Sequence, residues 1–201
     1  MNAGRLIAFE GVDGSGKSTQ IRLLAETLGA AGRDVVETRE PTEGAFGRRI
    51  RAMARSGERV APLEEQRWFV EDRREHVRDV IEPALAAGRI VLTDRYTLST
   101  AAYQGARGLD PARLLAEGEA EFPLPDLALV LEVPPEVGLA RVAARGRPRE
   151  PAFEDADYLA QVAAAFRTLE RPYILRVDAS HPAAAVHRAI LYALRRRLDL
   201  P

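Results

Sequence analysis

The chain has 201 residues, of which 46% are apolar and 29% charged, with a net charge of −1 and no cysteine. That length predicts one domain with at most a small insertion, and the balanced charge argues against a nucleic-acid partner. The missing cysteines exclude disulfides, thiolate metal sites and cysteine nucleophiles; no apolar run approaches the roughly 18 residues of a membrane span, so a cytoplasmic protein without a membrane partner is expected.

In chain order, the first apolar run, Leu6 to Phe9, reads as a buried strand. It ends in "GVDGSGKS", Gly11 to Ser18, followed by an amphipathic helix from Lys17 to Leu28. A second strand at Val35 to Thr38 precedes a helix at Ala45 to Arg55 and a long one at Leu63 to Ala87, in which Pro83 should cause a kink or break. Strand Ile90 to Thr93 leads into a short helix at Leu98 to Tyr103, and strand Leu127 to Val133 into a helix at Glu136 to Arg145. The charged interval 145–157, "RGRPREPAFEDAD", reads as a loop. Helix Tyr158 to Leu169, strand Ile174 to Val177 and helix Ala183 to Leu198 complete the chain. Near-continuous apolar strands alternating with helices predict an α/β fold with a five-stranded parallel sheet covered on both faces.

Of the 29 basic residues, 28 are arginine and one is lysine, Lys17. It lies in a segment matching G-x-x-x-x-G-K-[ST] between a strand and a helix, the context such a phosphate loop requires. Gly11, Gly14 and Gly16 let the backbone of Val12, Asp13 and Ser15 turn its N–H groups onto a phosphate. The helix N-terminus, including Thr19, adds its positive end. A compact ammonium reaches the outer phosphates from inside that cradle, where the broad arginine fork is a poor substitute. Ser18 supplies a hydroxyl for Mg²⁺. These features predict binding of a nucleotide's phosphates.

Guanine-specific switches read their base with a loop containing a further lysine, which this chain lacks. Motor and transport ATPases end an apolar strand in Asp-Glu, whereas "RIVLTDRY" ends in Asp94 and Arg95. Asp94 can hold Mg²⁺ directly or through water and Arg95 can fork onto an acceptor phosphate, although the dipeptide alone also suits a surface ion pair.

The strings "FEGVDGSGKST", "TREP" (Thr38 to Pro41), "DRYTLSTAAYQG" (Asp94 to Gly105) and "LEVPPEVGLARVAARG" (Leu131 to Gly146) together resemble the signature segments of thymidylate kinases, in order and over nearly the whole chain. The resemblance implies a nucleoside monophosphate kinase-like, three-layer phosphate-loop fold with a short lid at about 145–157. It also implies transfer of the ATP γ-phosphoryl group to dTMP, and a homodimer.

By the same resemblance, Asp13 faces the acceptor's 3′-hydroxyl, although a turn-stabilising contact would also suit it. Arg39 joins Arg95 on the acceptor monophosphate. Phe69 stacks on thymine and Arg73, four residues on, reaches its O4, although aromatic residues at helical spacing also build cores, as Trp68 is expected to do. Ser99 lines the nucleoside pocket, Tyr103 crowds out a ribose 2′-hydroxyl, and Thr100 and Gln104 can bond the base; capping or packing would suit each of these as well. Glu10 falls near the metal. In the lid, Arg145 is similar in place to a residue covering adenine, leaving Arg147 or Arg149 to stabilise charge on the transferred group. Here the chain departs from the family by reading Ala152, Phe153, Glu154 where arginine, an aromatic and glutamate are usual.

A monophosphate whose second pKa is about 6 needs no general base at neutral pH. His76, His181 and His187 accordingly lie outside every motif and read as solvated or packing residues. Two alternatives stand beside the leading one: a related nucleoside monophosphate kinase, differing first at Phe69, Arg73 and Tyr103, and a silent nucleotide-binding regulator.

Overall fold

A computed structural model describes residues 4–144, 152–153 and 155–200. Strand β1, Arg5–Glu10, is buried from Leu6 to Phe9 because those side chains are apolar on both faces, and it ends in Glu10, which is buried as well. Four further strands, β2 (Val35–Arg39), β3 (Ile90–Asp94), β4 (Leu127–Glu132) and β5 (Ile174–Asp178), join it in one sheet of order β2-β3-β1-β4-β5. Every pairing is parallel, as the apolar runs predict.

Register decides what the strands deliver. Phe9 pairs with Asp94 and Asp94 with Arg39, so Glu10, Arg39 and Asp94 leave the sheet side by side at its carboxyl edge. The order reverses about β1, with β3 and β2 on one side and β4 and β5 on the other. A parallel α/β sheet gathers ligands in the crevice at such a reversal.

Helices α1 (Lys17–Ala30), α2 (Ala45–Ser56) and α3 (Pro62–His76) follow the first two strands. The long helix expected through residue 87 is interrupted by a π-helical turn at Val77–Ile81, followed by the short α4, Glu82–Ala86. The interruption lies upstream of Pro83 because a proline ring clashes with the carbonyl four residues earlier, here Asp79. The Glu82 N–H reaches back to the Val77 carbonyl, giving the wider turn.

Helix α5 (Thr97–Gly105) is longer than expected, and α6 (Pro111–Glu121) was not expected at all. Asp110 caps α6 by accepting from the N–H groups of Ala112 and Arg113 at 2.9 and 3.2 Å. Helices α7 (Pro135–Ala144), α8 (Ala156–Thr168) and α9 (Ala183–Leu198) complete the layers, with α8 beginning inside the interval expected to be loop. Among the described residues no helix is long and apolar enough to cross a membrane.

Candidate active site

The loop after β1 folds as its glycines require. Gly14 has φ +77, and a Cβ there would meet the Gly138 carbonyl of α7 at 2.0 Å, so only glycine fits. Gly16, at φ +99, caps α1 and faces open space into which its missing side chain would project. This is a cradle shaped for a phosphate at a helix N-terminus.

Lys17 is almost fully buried inside the cradle, its Nζ donating to the carbonyls of Gly11 and Val12 at 3.1 Å each and lying 3.9 Å from Asp94 Oδ1. Burial lowers its pKa and Arg95 adds to the effect, against the pull of Asp94 and Asp13. Ser18 Oγ donates to Asp94 Oδ2 at 2.8 Å. A hydroxyl and a carboxylate therefore stand together at the mouth of the loop, hard oxygens of the kind Mg²⁺ accepts when phosphate oxygens and water complete its shell.

The loop opens into a cavity of about 850 Å³. Asp13, Gly14, Gly16, Lys17 and Ser18 line one end, with Asp94 and Arg95 beside them. Arg95 adopts φ +75, in the left-handed region. Its Nη2 donates to Asp13 Oδ1 at 2.7 Å and to Tyr103 Oη at 3.0 Å, and its Nη1 to Gly11 O and Ser99 Oγ, each at 3.2 Å. Burial works against the charged guanidinium, but Tyr103, Asp13, Asp94 and Glu10 outweigh it and hold its pKa well above the ordinary value.

Arg39 enters the same cavity from the end of β2, its Nη2 bonded to Glu43 Oε1 at 2.6 Å. Arg51 on α2 grips the other oxygen of Glu43 at 2.6 Å and the Pro41 carbonyl at 2.9 Å. Sequence reasoning missed Arg51. The signal was its position on the buried stripe of α2 set by Gly47, Ile50 and Ala54, where an arginine is out of place unless it faces a polar cavity.

At the far end, Phe69, Arg73, Ser99, Thr100 and Tyr103 line the wall. Arg73 is buried, its Nε and Nη2 donating to Glu40 Oε2 at 2.9 and 2.6 Å, and Nη2 also to Thr100 Oγ1 at 3.0 Å. His76 lies between this pair and β2, Nδ1 3.0 Å from Glu40 Oε1 and Nε2 2.6 Å from Thr38 Oγ1. Burial pushes the Glu40 carboxyl up, but Arg73 and His76 outweigh it and hold it below the usual carboxylate range. His76 is thus more than packing: it stands at the third point of a helical face it shares with Phe69 and Arg73, a spacing of four and three residues that could have been read. His181 is exposed, and His187 is half-buried against Thr27.

Tyr103 meets Phe153, Tyr158 and Phe166 edge-on at 6.0, 6.1 and 6.5 Å between ring centres. Phe153 also lines the cavity. Trp68 is buried, as expected of a core residue, with Arg49 over its ring at 3.8 Å. Gln104 is not brought to the cavity wall: its amide donates to Glu65 Oε1 at 2.8 Å, because that carboxylate, sealed between Arg59 and Arg107, is the nearest strong acceptor. Gly11, Val12 and Ser15 lie in the body of the loop and Thr19 in the first turn of α1. Arg145, Arg147 and Arg149 are outside the described residues, as is most of the interval expected to be a lid.

Glu10 has no exposed surface, and its two oxygens accept from the Tyr96 N–H at 3.0 Å and from the Ser99 hydroxyl. Burial raises its pKa to about 7, against the opposing effects of Ser99, Arg95 and Arg73.

A parallel five-stranded sheet with a lysine-bearing phosphate loop, an oxygen pair for a cation and a second cluster of arginines in one cavity defines a phosphate-loop phosphotransferase of the nucleoside monophosphate kinase type. The family model described as "Thymidylate kinase" matches residues 9–190. The chain is 44% identical to a thymidylate kinase of Desulfotalea psychrophila over 199 residues, 99% of this chain and 98% of that one. It is 45% identical to one of Akkermansia muciniphila over 191 residues, 93% and 91% of the two chains. With one of Xanthomonas euvesicatoria it shares 47% identity over 201 residues, 98% and 87% of the two. The chain belongs to the thymidylate kinase family.

Proposed function

We propose that this protein transfers the γ-phosphoryl group of ATP to dTMP, giving dTDP and ADP. The observation that carries the reading is one cavity with two kinds of end: a phosphate loop bearing Lys17, and a pocket lined by Phe69, Arg73 and Thr100 on one wall and by Arg39, Arg51 and Arg95 on another, chemistry suited to a base and to its phosphate.

ATP phosphates sit on the backbone N–H groups of the loop, with the Lys17 ammonium turned from the Gly11 and Val12 carbonyls toward the outer phosphates. Ser18 and Asp94 would hold Mg²⁺, which would supply positive charge to offset the negative charge of the phosphates. Arg95, anchored by Asp13, and Arg39 hold the acceptor dianion in line with the γ-phosphate, positioning that can contribute on the order of 7–11 kcal/mol. The dianion is its own nucleophile, so catalysis rests on alignment and on charge stabilisation by Lys17 and the arginines. Asp13 accepts from the 3′-hydroxyl, and Tyr103, wedged among three aromatic rings, leaves no room for a 2′-hydroxyl. Arg147 or Arg149 stabilises the transferred group and Arg145 covers adenine.

ADP release with Mg-ATP, run in parallel with dTMP, dUMP, ribosyl-TMP, dCMP, dGMP and AMP, tests the reading. Strong turnover with dTMP above all others is expected, and preference for AMP or dGMP would move the protein to another monophosphate kinase. We also propose a cytoplasmic homodimer, as in the family the chain resembles; a monomer by light scattering at micromolar concentration would refute it.

A further inference from the structure

Arg95 does its work from a backbone conformation that costs free energy. A left-handed φ of +75 at a residue with a Cβ persists only where its surroundings over-determine it. The Arg95 N–H is held by the Phe9 carbonyl at 2.8 Å and the Arg95 carbonyl by Thr93 Oγ1 at 2.9 Å. The next N–H, that of Tyr96, has no strand partner and is captured by Glu10 Oε1 at 3.0 Å. Glu10 itself ends β1, the strand whose preceding carbonyl holds Arg95.

The second oxygen of Glu10 accepts the Ser99 proton. A serine hydroxyl has one proton and two lone pairs, so with its proton committed to Glu10 the oxygen presents a lone pair elsewhere. What it meets is Arg95 Nη1, at 3.2 Å. Glu10 therefore grips the strained turn twice, through the Tyr96 backbone and through a hydroxyl whose direction it sets. Glu10 has no exposed surface and does not line the cavity, so its effect on a bound substrate would pass through the groups it holds.

We infer that Glu10 is a positioning residue for phosphoryl transfer: its buried carboxylate polarises Ser99 toward Arg95 and holds the Asp94–Tyr96 turn, aiming the guanidinium at the acceptor phosphate. This rests on the reading of Arg95 as an acceptor-phosphate ligand. In Glu10→Gln the side chain keeps its size, but an amide N–H replaces one acceptor, so either the Tyr96 N–H loses its acceptor or Ser99 must reverse or lose its partner. A charged hydrogen bond of this kind corresponds to a loss on the order of 10–100-fold in kcat/KM for dTMP.

The test compares Glu10→Gln, Ser99→Ala and the double variant, with dTMP and ATP varied separately. Expected are the 10–100-fold loss for dTMP in Glu10→Gln, a loss of about tenfold in Ser99→Ala, a double variant no more than threefold below Glu10→Gln, and a KM for ATP within twofold of the parent throughout. A lowered melting temperature with kcat/KM for dTMP within twofold would show a purely structural carboxylate and overturn the inference; so would equal losses toward both substrates. Should Glu10→Gln fail to fold, Ser99→Ala decides alone, and activity within twofold of the parent overturns the relay. If the parent enzyme turns over no dTMP, the acceptor reading has failed, and the relay is then read from the Arg95 Nε–H resonance: a shift in Ser99→Ala supports it and an unmoved resonance overturns it.

Discussion

An arginine at position 17 would bring a planar fork into a cradle whose inner wall is the carbonyls of Gly11 and Val12, both 3.1 Å from the ammonium they bond. Lys17→Arg keeps the charge but not the compact shape. A fall in kcat on the order of 10²–10³ is expected, with the circular-dichroism spectrum unchanged, and single-turnover kinetics would measure it. Glu10 supplies the pH dependence at this scale. It faces Ser99 and the Tyr96 amide directly, and the charges of Arg95, Arg73 and Lys17 around it. Its folded pKa of about 7 lies above the ordinary 4.5, so the native state binds its proton more tightly than the unfolded chain. Its contribution to stability is thus fully present below pH 4.5 and is lost as pH rises through 7, a change on the order of 3 kcal/mol. Urea unfolding from pH 4.5 to 8 should show this fall in the parent protein and a flatter profile in Glu10→Gln. The same ionisation orders the Ser99 relay, so kcat/KM for dTMP should rise through a limb near pH 7, above the limb at about 6 belonging to the acceptor phosphate itself.

At the scale of elements, α6 carries a start signal in plain view: Asp110 at the cap and Pro111 at the first helical position. Asp110→Ala should cost about 1 kcal/mol in denaturant unfolding, with kcat unmoved because α6 places no side chain on the cavity wall. Its apolar positions are as helically periodic as those of the helices the sequence revealed, so both the cap and the pattern were legible; only Leu115 of the segment is buried, and it adds little to the core. The π turn before Pro83 has the opposite history. Proline's missing donor and its clash with an earlier carbonyl announce a break, yet which carbonyl finds which N–H depends on how α3 and α4 are held by their neighbours.

For the whole molecule, the cavity is held together by ion pairs that join distant elements. Glu40 leaves the end of β2, Arg73 and His76 come from α3, and Thr100 from α5. Removing the carboxylate in Glu40→Ala leaves a buried guanidinium uncompensated, and a loss of about 3–5 kcal/mol in urea unfolding is expected, with a raised KM for dTMP. A loss below about 1 kcal/mol would show that Arg73 finds another partner.

The amino-acid sequence by itself determined the local events: five apolar strands, a glycine-bearing loop that only one backbone shape satisfies, and a lone lysine inside it. Each depends on residues close in the chain, whose conformational preferences and burial are written in neighbouring letters. Only the tertiary structure decided that Arg51 shares the cavity with Arg39, that Gln104 turns away to Glu65, and that Glu10 grips Ser99. Those choices are made between residues tens of positions apart, in competition for a few buried acceptors. The strength of each such bond is set by how completely the packed sheet and helices exclude water from it.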